Sequence, residues 1–245
     1  MLPAGRKRNF QVKILIAVLF LFVLIGDERA SAGENGSEDN ILIFWSEGDG
    51  LKAVTLMCVR GPDKPVGIVA IPVFIRLNCG KLNCTISEAY GILGRQGVTQ
   101  CLEQLFKIPI GGYLVIDQRT LDKVSLIIGP VVMNGKVTTM TDVFEGTYTD
   151  GEIEPQMEIR SLAARLVEPR VIVKVPQLVW VLSSEVKTNV SGRIMLSIYR
   201  SVEKRGPDIL NKKALPGRDY FVDNRKHRDV PSEEWVMVLK SVVSS

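Results

Sequence analysis

The 245-residue chain contains a single histidine, His227, near its C-terminus. A histidine-based catalytic triad therefore has no support, and a zinc module built on paired histidines is excluded. The GxSxG elbow, HExxH, the Walker A loop and the Rossmann glycine fingerprint are all absent. Their absence removes the common signatures of hydrolases, metalloproteases and nucleotide-binding enzymes. No segment repeats at a fixed period, so the chain is not a solenoid.

Charge of one sign is also scarce. The formal net charge is +4, and the surplus sits at the N-terminus. Removing the five basic and two acidic residues of 1–32 from totals of 31 and 27 leaves 26 and 25. A body this balanced lacks the clustered basic face of a nucleic-acid binder, so nucleic acid is not an expected partner.

A long hydrophobic run is missing as well, but a short one is informative. Arg6, Lys7, Arg8 and Lys13 precede the apolar stretch Ile14–Gly26, and Ala30-Ser31-Ala32 follows. A basic start, an apolar core and a small-x-small site are the parts of an export signal. The run is shorter than the ~20 residues that span a bilayer comfortably. Residues 1–32 thus read as a signal peptide or an uncleaved anchor, and 33–40 (GENGSEDN) as a polar linker. The expected location is extracytoplasmic, secreted or membrane-anchored.

Cysteine is limited to Cys58, Cys79, Cys84 and Cys101. An even count outside the cytoplasm permits disulfides, and Cys79–Cys84 would close a short loop. Spacing does not choose among the three pairings. Cys58 lies in an apolar run and Cys101 on an apolar helix face, so both read as small buried thiols.

Ile41–Trp45, Val54–Val59 and Val66–Ile71 are β-branched apolar runs, expected to be adjacent strands buried on both faces. The spacing of Val98, Cys101, Leu102 and Leu105 predicts a helix over 97–106, and YLVI (113–116) reads as a strand. Thr120 is expected to cap a helix ending at Gly129, and Asn134-Gly135 to turn a hairpin. Residues 156–168 read as helix. Val171–Ser183 fits either a strand or a helix broken near Pro176. Thr188 or Asn189 is expected to cap a helix closed by Gly206, and Pro231-Ser232 to open a last one. This alternation predicts an α/β fold: a single three-layer αβα domain with a mixed central sheet over 41–245.

The stretch GIVAIPVFIRLNCGKLN (67–83) leaves the core at Pro72 with three apolar residues and then presents Arg76, Asn78, Lys81 and Asn83. Five segments in order, ILIFWSEG, KAVTLMCV, VAIPVFIR, KLNCTISEAYG and QLFKIPIGGYLVID, resemble the LytR-CpsA-Psr family of bacterial cell-envelope proteins. In that family the matching segments carry Gly-Ser-Asp, Arg-x-Asp-Thr, Ile-Pro-Arg-Asp, Lys-Ile-Asn and "Leu-x-Ile-Pro-Ile". VKTNVSGRIMLSIYR and ALPGRDYFVD resemble later family segments.

The resemblance implies transfer of glycopolymers from a polyprenyl-pyrophosphate carrier to peptidoglycan. Arginines would hold the pyrophosphate, carboxylates a metal such as Mg²⁺, and an apolar tunnel the lipid. In this sequence Glu47 keeps a carboxylate at the first Asp, which makes it a weak metal ligand. Lys52 replaces an arginine, and Val54 the motif's aspartate. Val73 and Phe74 replace the Arg-Asp pair, while Arg76, Lys81 and Asn83 are retained. Arg160, Arg165, Arg170 and Lys174 fall in the region of the family's arginine-rich segment.

The expected ligand site is therefore Lys52, Arg76, Lys81, Asn83, Arg160 and Arg165, with Val73, Phe74 and Ile75 at the mouth of a lipid cavity. No cofactor is expected, and Mg²⁺ only if the family site persists. The favoured reading is a binding protein for a polyprenyl-phosphate lipid or an envelope glycopolymer, with little or no catalysis. The alternatives are an active transferase and a secreted domain that keeps only the fold.

Overall fold

The computed structural model describes residues 39–61, 64–79, 82–133, 135–145, 165, 168–190, 194 and 209–244. The three apolar runs form a meander of β1 (Asp39–Glu47), β2 (Gly50–Val59) and β3 (Val66–Ile71), antiparallel at each step. β6 (Gly112–Asp117) adds parallel to β1, and β9 (Lys187–Thr188) closes that edge. β10 (Leu210–Ala214) adds parallel to β3, giving the order β10-β3-β2-β1-β6-β9. This is the mixed central sheet expected from the sequence. β1 begins inside the stretch read as linker: Asn40 is buried, donating to the Pro109 carbonyl at 2.8 Å and accepting from Arg60 at 3.2 Å.

Alternation along the strands sends side chains to two buried faces. Leu42, Phe44, Val54, Leu56, Cys58, Val69 and Ile71 pack with α1 (Ile86–Phe106) and α6 (Ser232–Val243) in the main core. Ile41, Val59, Val66 and Ile68 form a second cluster with Ile209, joined by Val190 and Ile194. Gly67 lets α6 approach β3, because a Cβ there would meet a Val242 methyl at 2.9 Å.

Helix α1 starts eleven residues before the predicted one. Thr85 and Glu88 form a reciprocal capping box, and Gly94 interrupts the helix with a positive φ of 65°. α2 (Gln118–Ile128) is capped by Asp117 rather than Thr120, with the Thr120 N–H donating to it at 2.7 Å. Burial works to raise the Asp117 carboxyl, but the Thr120 N–H and hydroxyl outweigh it, and the net shift is downward.

β7 (Val131–Met133) and β8 (Lys136–Thr138) form the expected hairpin. α3 (Met140–Glu145), α4 (Pro169–Ile172) and α5 (Val175–Glu185) follow. Pro176 sits in the first turn of α5, where its missing N–H costs nothing, so the 171–183 ambiguity resolves as helix. Thr188 belongs to β9, and Asn189 accepts from the Tyr113 N–H at 2.7 Å. Of the helices expected over 156–168 and after Asn189, only Arg165, Glu168, Val190 and Ile194 are among the described residues, and the export signal lies outside them. No described helix is long and apolar enough to cross a membrane.

Cys84 is not in a disulfide, so a Cys79–Cys84 bridge is not formed, and Cys58 is buried outside any disulfide. Cys101 is disulfide-bonded and not the free thiol expected. Burial, followed by the Glu88 carboxylate, pushes the Cys84 thiol up.

Candidate functional site

The register places three segments at one edge of the sheet. Glu47 faces Gly50 across the β1–β2 turn, and Val54 faces Ile71 just before Pro72. Glu47 and Lys52 form an ion pair at 2.6 Å, both about half exposed. Val54 is only 1% exposed and belongs to the main core. These residues do not fit the divalent metal implied by the resemblance, because one carboxylate is neutralised by a lysine and the other position is aliphatic. Among the described residues no three His, Cys, Asp or Glu side chains converge.

The loop after Pro72 is held at every carbonyl from 72 to 75. Pro72 accepts from Ile75 N–H, Val73 from Ser87, Phe74 from Arg228 and Ile75 from Ile86. Ser87 and Ile86 lie in the first turn of α1, so the loop satisfies donors that a helix start leaves unpaired. Ile75 is 0% exposed inside the core, and Val73 packs against that core. Phe74 lies beneath Lys226 and Arg228, whose charges are 4.7 and 5.4 Å from its ring centroid. Of the three residues expected at the mouth of a lipid cavity, Ile75 is core, Val73 packs on it, and Phe74 is roofed by two cations. The apolar character of the loop comes from its role in joining β3 to α1.

The roof is a hairpin of β11 (Arg218–Val222) and β12 (Arg225–Asp229), turned at Asp223-Asn224 with positive φ at both residues. Asp219 grips Arg228 through two carboxylate contacts and Lys226 at 2.8 Å, and these bonds hold its carboxyl far below the ordinary range. Tyr220 stacks on His227 with ring centroids 5.5 Å apart.

Beneath the hairpin lies a second, smaller one, β4 (Arg76–Cys79) and β5 (Leu82–Thr85). Arg76 Nε donates to Asn83 Oδ1 at 3.1 Å and Nη1 to Tyr220 Oη at 3.4 Å, and Tyr220 donates to Asp229 at 3.2 Å. The Tyr220 bond, then the fields of Asp229 and Glu88, raise the Arg76 guanidinium, which stays cationic.

Between the two hairpins and α6 opens a cleft of about 620 Å³. Arg76 and Asn78 form one wall, Arg218 and Asp229 the second, and Glu234 of α6 the third, over a base of Pro216, Gly217, Val230 and Pro231. Gly217 is required there, because a Cβ would lie 2.6 Å from the Asp229 carbonyl.

The expected site residues therefore separate. Arg76 and Asn83 come together, and Lys52 pairs with Glu47 at the β1–β2 turn. Lys81 and Arg160 lie outside the described residues. Arg165 is 7% exposed at the far end of α2, donating to the Ile128 carbonyl at 3.1 Å and to Glu168. Lys174 donates to the Ile127 carbonyl at 3.0 Å. Two cations thus close the C-terminus of one helix, which is a structural role. Arg165→Ala is expected to lower stability by about 1–3 kcal/mol, through an unpaired buried carbonyl. Urea denaturation checks this, and an unchanged midpoint would remove Arg165 from the helix cap.

Arg218, Tyr220, Asp229 and Glu234 were not expected from the sequence. The segment ALPGRDYFVD was matched only as a whole, and the Asp-Asn turn that pairs it with RKHRD was the unused signal.

No protein-family model and no curated protein matches this chain. Solved structures do. TagV of B. subtilis shares 14% identity over 85% of this chain and 96% of its own, with a TM-score of 0.64. The transcriptional regulator yvhJ from Bacillus subtilis gives 14%, 84%, 96% and 0.61. TagT bound to LI-WTA gives 12%, 88%, 95% and 0.59. The chain has the LytR-CpsA-Psr-like fold.

Proposed function

We propose that this chain is an extracytoplasmic cell-envelope protein of LytR-CpsA-Psr type that binds an envelope glycopolymer, with little or no catalysis. The fold supports the envelope assignment, and TagT, with the same fold, is bound to LI-WTA and LIIa-WTA in two of the similar structures. The observation that carries the binding reading is the polar cleft beside Arg76. Its size is that of a ligand pocket, and its walls of guanidinium, carboxylate and carboxamide suit hydroxyls and charged substituents on sugars. A lipid tail has weaker support, because Val73 and Ile75 are spent on the core and Phe74 on the hairpin. A metal-dependent transferase has weaker support again, given Val54 and the Glu47–Lys52 pair.

Titration of the purified chain with a soluble wall-glycopolymer fragment tests this reading. Binding is expected, weakened roughly tenfold or more by Arg76→Ala, as for loss of a charged hydrogen bond. Absence of binding leaves the fold-only domain as the better account. Robust Mg²⁺-dependent turnover of a polyprenyl-pyrophosphate substrate, abolished by Glu47→Ala, overturns the non-catalytic part.

A further inference from the structure

We infer that the ligand of this cleft is zwitterionic: a glycan unit carrying an anionic group, phosphate or carboxylate, and an ammonium group close to it. The inference rests on the glycopolymer reading and specifies its chemistry. Arg76 and Arg218 bring two positive charges to the cleft, and Asp229 and Glu234 two negative ones. Their formal sum is zero, so the cleft has no net charge to attract a polyanion.

These charges do not cancel by contact. Among the described residues the Arg218 guanidinium and the Glu234 carboxylate have no ion-pair or hydrogen-bond partner, although both line the same cavity. Among the described residues the Asp229 carboxylate takes only the Tyr220 hydroxyl, and Arg76 spends Nε and Nη1 on Asn83 and Tyr220. Two proline-containing corners, Pro216-Gly217 before Arg218 and Val230-Pro231 between Asp229 and Glu234, line the same cleft.

Each ligand class meets this pattern differently. A polyanion gains at Arg76 and Arg218 and loses at Asp229 and Glu234, since the Coulomb terms are equal in size and opposite in sign at equal distance. A neutral glycan strips water from unpaired ions without replacing it. A ligand with both charges meets each ion with its opposite, and rejects competitors that carry one sign only.

The test uses one polymer in three forms. Poly(glycerol phosphate) carrying D-alanyl esters is zwitterionic. The same chains after mild alkaline removal of the esters are polyanionic, and after N-acetylation of the alanyl amines they keep the bulk without the positive charge. The full chain should bind the zwitterionic form tighter than either other form, by roughly two- to fivefold for each carboxylate engaged. Glu234→Gln should reduce that preference, and Glu234→Gln with Asp229→Asn abolish it, while affinity for the polyanion rises. Equal affinity for the three forms overturns the inference and leaves the glycopolymer reading standing. Equal binding of the zwitterionic and N-acetylated forms, both above the bare polyanion, assigns the preference to bulk and also overturns it. No binding of any form overturns both.

Discussion

Val54→Asp is expected to destabilise the protein by about 3–5 kcal/mol at neutral pH, the cost of an uncompensated charge in a core. Val54 is packed in the main core, opposite Ile71. Its neighbours in that cluster are apolar, so the new carboxyl would be pushed above its ordinary value. The sign of the pH dependence follows. Below the unfolded pKa the carboxyl is neutral in both states. Above it the unfolded chain releases a proton that the folded chain retains, so stability falls by about 1.4 kcal/mol per pH unit until the raised folded value is reached. Urea denaturation at pH 4 and pH 7 measures both the penalty and its slope. Equal stability of variant and wild type at pH 7 would mean that position 54 is solvated. The outcome bears on function: an aspartate placed at this position threatens the fold before it can contribute to a metal site.

The same residue shows what the sequence could convey. Val54 in place of an aspartate was visible in one line of text, and its burial follows from the β-branched run around it. The β1–β2–β3 meander was legible for that reason: strands buried on both faces are continuous apolar runs with little to confuse them. Helix α1 was half legible. Val98, Cys101, Leu102 and Leu105 announce its C-terminal half, whereas Gly91, Gly94 and Gly97 break the pattern before it. The capping box of Thr85 and Glu88, a Thr-x-x-Glu spacing, was the better signal for its start.

The candidate site was less legible, because its parts are distant in sequence and weakly patterned. β4 and β5 are four residues each, and the loop Arg76–Asn83 read as a polar loop when it is a hairpin. β11 and β12 are dominated by charged and aromatic residues with no apolar alternation, so nothing marked them as strands. Their pairing depends on tertiary contacts, with Arg228 bonded to the Phe74 carbonyl and Asp219 neutralising two cations above that ring. Arg165 shows the converse. Its place in the region of the family's arginine-rich segment suggested a ligand contact, and its guanidinium meets the end of a helix 37 residues away in sequence. Composition identifies a charge; only packing identifies its partner.

Trp235→Ala is expected to have an effect of similar size, about 3–5 kcal/mol, by leaving a large cavity. Trp235 is among the largest fully buried side chains, and it meets Phe106 edge-on with ring centroids 5.1 Å apart. That contact joins the first turn of α6 to the last turn of α1, so both helices lose their mutual support. A loss of this size is a large fraction of the ~5–15 kcal/mol that stabilises a typical domain. It should also reach the cleft. Glu234 is the neighbour of Trp235 in sequence, and Val230-Pro231 leads into the same helix. Loosening this end of α6 therefore moves one wall and part of the base. Ligand affinity should fall in the alanine variant even under conditions where it remains folded. Trp235→Phe, which keeps a ring against Phe106, should lose less of both. Thermal denaturation and ligand titration of the two variants make the comparison. An alanine variant within about 1 kcal/mol of wild type, the ordinary effect of a single substitution, would show that α6 is held by Val238, Leu239 and Val242 without its tryptophan.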